Sequence, residues 1–284
     1  MAILSTTKIR DTKGETMGFF EDQAKSDVEV VSLQQPAQKQ LPQTPSEYQF
    51  QFKEATATEK MVVTIYGRKG DGKTTTAFSF PGKISAVSFD QKTSLVKKYY
   101  YNSDERIKVY DAVEFFDESP LSVLESGVKT YHYAEYLLDK IKEDKPDWIV
   151  IDGLEILIQM AEYKMRQMHK LSYNSGVPMQ YWKDRKLLIR NIHNKAVSSA
   201  KKGVIYTTYV DKDEVIKDSE FVARKDVPKW NDVILYVTDV VLRVDSQIER
   251  DGKKFILIVD NSKIPVFKTG MTLDITSKKD WIKL

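Results

Sequence analysis

Gly67-Arg68-Lys69-Gly70-Asp71-Gly72-Lys73-Thr74 satisfies the pattern G-x-x-x-x-G-K-[ST] at every fixed position. A β-rich run, Met61-Val62-Val63-Thr64-Ile65-Tyr66, precedes it, and Thr74-Thr75-Thr76-Ala77-Phe78 can open a helix behind it. Strand, glycine-rich turn and helix N-terminus together make a polyphosphate site. The glycines let backbone N–H groups turn inward, and the helix end adds partial positive charge. On this pattern Gly67, Arg68, Lys69, Gly70, Asp71, Gly72, Lys73, Thr74 and Thr75 are the expected nucleotide-binding residues. Lys73 is expected to reach the β- and γ-phosphates of ATP, and the Thr74 hydroxyl to hold Mg²⁺.

Downstream, strands and helices alternate. Ile84-Ser85-Ala86-Val87-Ser88-Phe89 reads as a second strand with Asp90 at its C-terminal end, and Arg106 to Tyr110 as a third. Apolar residues recur at helical spacing between Thr130 and Glu143, and Lys145-Pro146-Asp147 breaks the run. Trp148-Ile149-Val150-Ile151-Asp152 is continuously apolar and ends in an acid, as a strand buried on both faces of a parallel sheet does. This is the Walker B pattern, which places Asp152 to hold Mg²⁺ through water. Leu154, Leu157, Ile158, Ala161, Met165 and Met168 follow as the core stripe of a helix. A polar break from Leu171 to Pro178 precedes a long helix from about Met179 to Lys201, capped by Gly203. The strand Val204 to Tyr209 is expected to lay its polar end beside the Asp152 strand.

Val210 to Lys229 is highly charged and includes Arg224, Lys225 and Lys229. It reads as a long connection, either a solvated excursion or a DNA-contacting loop. Asp239 to Val244 and Phe255 to Val259 flank Arg250-Asp251-Gly252-Lys253, a hairpin signal. The expected fold is therefore α/β: a mostly parallel central sheet flanked by helices, with a C-terminal β-hairpin.

The chain of 284 residues has room for one such domain over 59–284. Residues 1–58 differ in kind. Gln34 to Pro45 is polar and punctuated by proline, too poor in apolar surface to order itself, so this region is expected to be a flexible arm. Basic residues number 44 against 41 acidic, so net charge does not announce a nucleic-acid binder. Cysteine is absent, which excludes disulfides, cysteine-ligated zinc and thiol catalysis. No apolar run spans a bilayer and the N-terminus lacks a signal-peptide layout, so a cytoplasmic location is expected.

The class within P-loop proteins depends on where the catalytic acid sits. In ATPases of the AAA+ type a Glu directly follows the Walker B Asp, and here that position is Gly153. In RecA-like ATPases the acid ends the strand after the P-loop helix, the place of Asp90. Asp90 is one methylene shorter than the usual Glu, and Glu155 is the alternative. The chain resembles the RecA-like ATPases of phages and archaeal viruses, the group that includes single-strand-annealing recombinases. The resemblance covers roughly Lys60 to Gly270. It rests on Gly67 to Thr75, the Phe78 to Gly82 link, Trp148 to Asp152, the helix containing Trp182 and Arg185, the Val204 to Thr208 strand, and the closing hairpin.

This resemblance implies an ATP- and Mg²⁺-dependent ATPase of the host cytoplasm, acting on single-stranded DNA in annealing or recombination. It implies a homo-oligomer, ring or filament, in which Lys263 or Lys268 reaches the neighbour's nucleotide as a catalytic cation. The loops Tyr173 to Lys183 and Val210 to Lys229 match DNA-facing regions, with Tyr181, Trp182, Arg224 and Lys225 suited to stacking and phosphate contact. Where the group often has a His at the end of the sensor strand, this chain has Tyr209. Thr207 or Thr208 is then the sensor for the γ-phosphate. Two other readings stay open: a DNA-partitioning ATPase of the ParA class, whose signature Lys is replaced by Arg68, and a nucleotide-binding structural subunit with little hydrolysis.

Overall fold

The computed structural model describes residues 60–217, 220–229, 232–250 and 252–276, with backbone alone over 213–217 and 220–224. The arm expected over 1–58 lies outside them. Six strands carry the parallel part of the sheet: β1 (Met61–Gly67), β2 (Ile84–Ser88), β3 (Ile107–Asp111), β4 (Trp148–Asp152), β5 (Gly203–Lys217) and β7 (Val240–Glu249). β6 (Glu220–Pro228) pairs antiparallel with β5, β8 (Gly252–Ser262) with β7, and β9 (Thr272–Asp274) with β8. The order across the sheet is β3-β2-β4-β5-β1-β7-β8-β9, with β6 off this path. This is a RecA-like P-loop α/β fold.

Side chains alternate between faces along each strand, so every buried strand serves two cores. Ile149 and Ile151 of β4 join Val62, Val204 and Tyr206 on one face. There they meet the apolar stripes of α3 (Val123–Asp144), α4 (Leu154–Met168) and α5 (Trp182–Ser199). Trp148 and Val150 join Val63, Ile65, Ala86 and Ile205 on the other, under α1 (Lys73–Phe78) and the closing hairpin. Each fully buried Ile, Val or Leu stabilises the fold by about 1.5–3 kcal/mol. α1 stops early because Pro81 cannot continue a helix. The Arg106 guanidinium takes up its last carbonyl, donating to Phe78 O at 2.7 Å, and also donates to Phe80 O just beyond it at 2.8 Å.

Several sequence expectations are corrected. The charged stretch from Val210 to Lys229 is not a loop: β5 runs on past the sheet and turns back as β6. Its register sets Lys212 opposite Asp226, Asp213 opposite Lys225 and Glu214 opposite Arg224. The apolar and charged residues of the ribbon do not alternate along either strand, so it carries no period-two signal. Gly203 opens β5 rather than capping a helix; a Cβ there would stand 1.9 Å from Met61 O. The helix placed at Met179 begins as a 3₁₀ turn, and α5 proper starts at Trp182. Met168 is exposed rather than core. The helices α2 (Thr93–Tyr100) and α6 (Asp232–Val237) are not expected from the sequence, being short and lacking a long apolar stripe. Among the described residues no helix is long and apolar enough to cross a membrane.

Candidate active site

The C-terminal ends of β1, β2 and β4 meet Thr207 and Thr208 of β5 at one edge of the sheet, where ligands bind in open α/β folds. β1 delivers the chain to Gly67, and the turn closes at Gly72, with Gly70 and Gly72 at φ 83° and 94°, conformations that side-chain-bearing residues rarely adopt. Asp71 holds the turn in shape. Its carboxylate is 5% exposed and accepts bonds from Arg68 N at 2.8 Å and Ser246 Oγ at 2.6 Å. Lys253, from the tip of the β7–β8 hairpin, donates to Gly70 O at 2.8 Å. Sequence reasoning took Asp71 for a ligand contact and missed Ser246 and Lys253, because no local pattern marks a brace that joins distant strands.

Asp152 is the buried centre of the site, 3% exposed at the end of β4. Three threonine hydroxyls donate to it. Thr74 Oγ1 lies 3.1 and 3.0 Å from its two oxygens, and Thr93 and Thr207 complete the set. Burial pushes its carboxyl pKa up, and the hydroxyls pull the other way. Thr207 Oγ1 also accepts from Gly153 N at 3.1 Å. The Thr207 hydroxyl thus faces Asp152, while Thr208 Oγ1 is bonded to Glu155 at 3.2 Å and to Lys229 O at 2.5 Å.

Lys73 lies back along the turn, donating to Arg68 O at 2.9 Å and Gly67 O at 3.2 Å. Burial lowers its pKa, opposed first by Glu155 and then by Asp152, Asp71 and Asp90. Glu155 is half-buried with its pKa raised by desolvation. Asp90 is exposed at the rim, its Oδ1 accepting from Lys92 N at 3.0 Å. The fold therefore gathers Lys73, Thr74, Asp90, Asp152, Glu155 and Thr207 at one edge. Lys263 and Lys268 stand apart from it. Lys263 is paired with Asp239 at 3.7 Å at the other end of β8, and Lys268 is exposed in the turn before the edge strand β9.

The donor set fits a nucleotide polyphosphate. Among the described residues the N–H groups of Lys69, Gly70 and Gly72 have no hydrogen-bond partner, so the turn offers unspent donors beside a lysine. A hydroxyl and a buried carboxylate 3.0 Å apart are the hard oxygen ligands that suit Mg²⁺.

The sequence matches the AAA domain family over residues 59–269. The chain belongs to that family. Gly153 still occupies the position after Asp152, so membership supplies no acid there. Comparison with curated proteins gives no match. Among solved structures, a KaiC-like protein of Pyrococcus horikoshii OT3 is similar at 11% identity and a TM-score of 0.45, over 78% of this chain and 87% of that one.

Proposed function

We propose that the protein binds ATP with Mg²⁺ at Gly67 to Thr75 and hydrolyses it in a homo-oligomer that works on single-stranded DNA. The family and the fold are those of P-loop ATPases. One arrangement carries the reading: Lys73, Thr74 and the buried Asp152 meet at the ends of β1 and β4, and the N–H groups of Lys69, Gly70 and Gly72 beside them have no partner among the described residues.

In this reading Lys73 leaves the carbonyls of Gly67 and Arg68 to neutralise charge on the β- and γ-phosphates. Thr74 and Asp152 hold Mg²⁺, which when bound neutralises phosphate oxygens. Asp90 orients the attacking water and accepts its proton, with Glu155 the alternative acid beside Lys73. Thr207 keeps Asp152 aimed. Lys268, far from its own P-loop, serves only a neighbouring subunit's nucleotide.

The DNA part is supported by continuity. The strand that carries Thr207 and Thr208 becomes the charged β5–β6 ribbon, and Lys229 N returns to Tyr209 O at 2.8 Å. The second DNA-facing segment presents Tyr173, 46% exposed, and Trp182 under the Arg185 guanidinium at 4.2 Å. The deciding experiment is ATP turnover with and without single-stranded DNA across a salt series. Stimulation that falls steeply with salt supports the reading, because phosphate contacts release counterions. Charge reversal at Arg224 and Lys225 should weaken DNA binding and leave unstimulated ATP binding intact. A preference for duplex DNA would favour a partitioning ATPase. Indifference to all nucleic acid would leave a nucleotide-binding structural subunit.

A further inference from the structure

β4 lies between β2 and β5, so the Asp152 carboxylate can be gripped from both neighbouring strand ends. On the β5 side the grip is Thr207. On the β2 side it comes from Thr93, the first residue of α2, which is 1% exposed. Thr93 Oγ1 lies within hydrogen-bond distance of Asp152 Oδ2, of Ser88 Oγ at 2.6 Å and of Asp90 O at 2.9 Å.

A hydroxyl has one proton, which settles the donors. Asp90 O already accepts from Thr93 N at 3.1 Å, so the Ser88 hydroxyl can donate to Thr93 Oγ1 at 2.6 Å. Neither Ser88 nor Asp90 O needs the Thr93 proton, and the buried carboxylate does. Thr93 therefore donates to Asp152 and accepts from Ser88.

We propose that Thr93 is a positioning residue for the metal-binding carboxylate, fixing Asp152 against Thr207 and fastening the loop of Asp90 to the same atom. This rests on the ATP–Mg²⁺ reading above. Thr74 donates to Asp152 in the free protein but must offer its oxygen to the metal. Thr93 and Thr207 are not ligands, so their bonds persist in both states. Side chains that orient metal ligands in this way typically alter metal affinity by ~10–100-fold when removed. They leave contacts to the rest of the ligand alone.

The test uses the full-length protein and a fluorescent ATP analogue, titrated with Mg²⁺ and separately in EDTA. Thr93→Val, which keeps the shape and removes the hydroxyl, should raise the Mg²⁺ concentration for half-maximal tightening by ~10-fold or more. Its affinity for the analogue in EDTA should match the parent. Thr93→Ser should restore the parent titration. Ser88→Ala removes a buried hydroxyl at the end of β2 that reaches Thr93 but not Asp152, and should shift the Mg²⁺ titration far less than Thr93→Val does. If Thr93→Val does not fold, Thr93→Ala carries the same test at the same atom. A Thr93→Val titration equal to the parent overturns the proposal, as does an equal shift in Ser88→Ala, which would assign the effect to loop packing. If the parent binds the analogue neither with Mg²⁺ nor in EDTA, the ATP reading itself fails.

Discussion

The ammonium of Lys73 stands over the ring of Tyr209, 4.3 Å from its centre. Tyr209 follows the two threonines of β5, so the end of that polar run touches the P-loop lysine directly. Ring and carbonyls share the charge, an arrangement worth about 0.5–2 kcal/mol through the π face. It holds Lys73 beside the turn, where a polyphosphate would draw the ammonium away from both.

Lys73→Ala should reduce ATP-analogue affinity by roughly 30-fold or more, the range for removing one partner of a desolvated charged contact. Far-ultraviolet circular dichroism should not change, since Lys73 fills no core. Unaltered nucleotide binding in this variant would remove the central assignment.

Asp90→Asn should keep nucleotide binding and lower kcat by about 10²–10⁴-fold, the usual contribution of a positioned acid–base group. Glu155→Gln, measured beside it, should lower turnover far less. The reverse ranking would move the catalytic acid from the rim to the residue facing Lys73.

Asp71→Ala should lower thermal stability and weaken nucleotide binding together. It leaves Arg68 N and Ser246 Oγ without their acceptor, a loss of about 1–3 kcal/mol for such groups. Ser246→Ala should show the smaller effect of the two. A Ser246→Ala protein less stable than Asp71→Ala would contradict the brace described for the turn.

Stability should respond to pH through Glu155. Its folded pKa is raised by burial, so the folded state binds its proton more tightly than the unfolded chain. The associated stability is present below the unfolded value near 4.5 and is lost as pH rises through the raised value. Gln cannot ionise, so the melting temperature of Glu155→Gln should gain on that of the parent as pH climbs from acid toward neutral. A difference that stays constant, or shrinks, would show that Lys73 and Thr208 offset the burial.

The sequence alone determined the P-loop, the Asp152 strand, the parallel core and the closing hairpin. Each is written in neighbouring residues, as a fixed glycine spacing, an unbroken apolar run or a turn between two β-rich segments. Asp90 and Glu155 were legible as candidates for the same reason: each sits at or just after the end of a readable strand. The β5–β6 ribbon was not legible, because its two strands show no apolar-polar alternation in the sequence. The grip on Asp152 was hidden for another reason. Thr93 and Thr207 are 59 and 55 positions from it in the chain, and only the strand order β2-β4-β5 brings their hydroxyls to one carboxylate. The same holds for Ser246, which reaches Asp71 across 175 positions. A short polar side chain has no periodicity of its own, so its partner is decided by which strands lie side by side, and that is a property of the folded sheet.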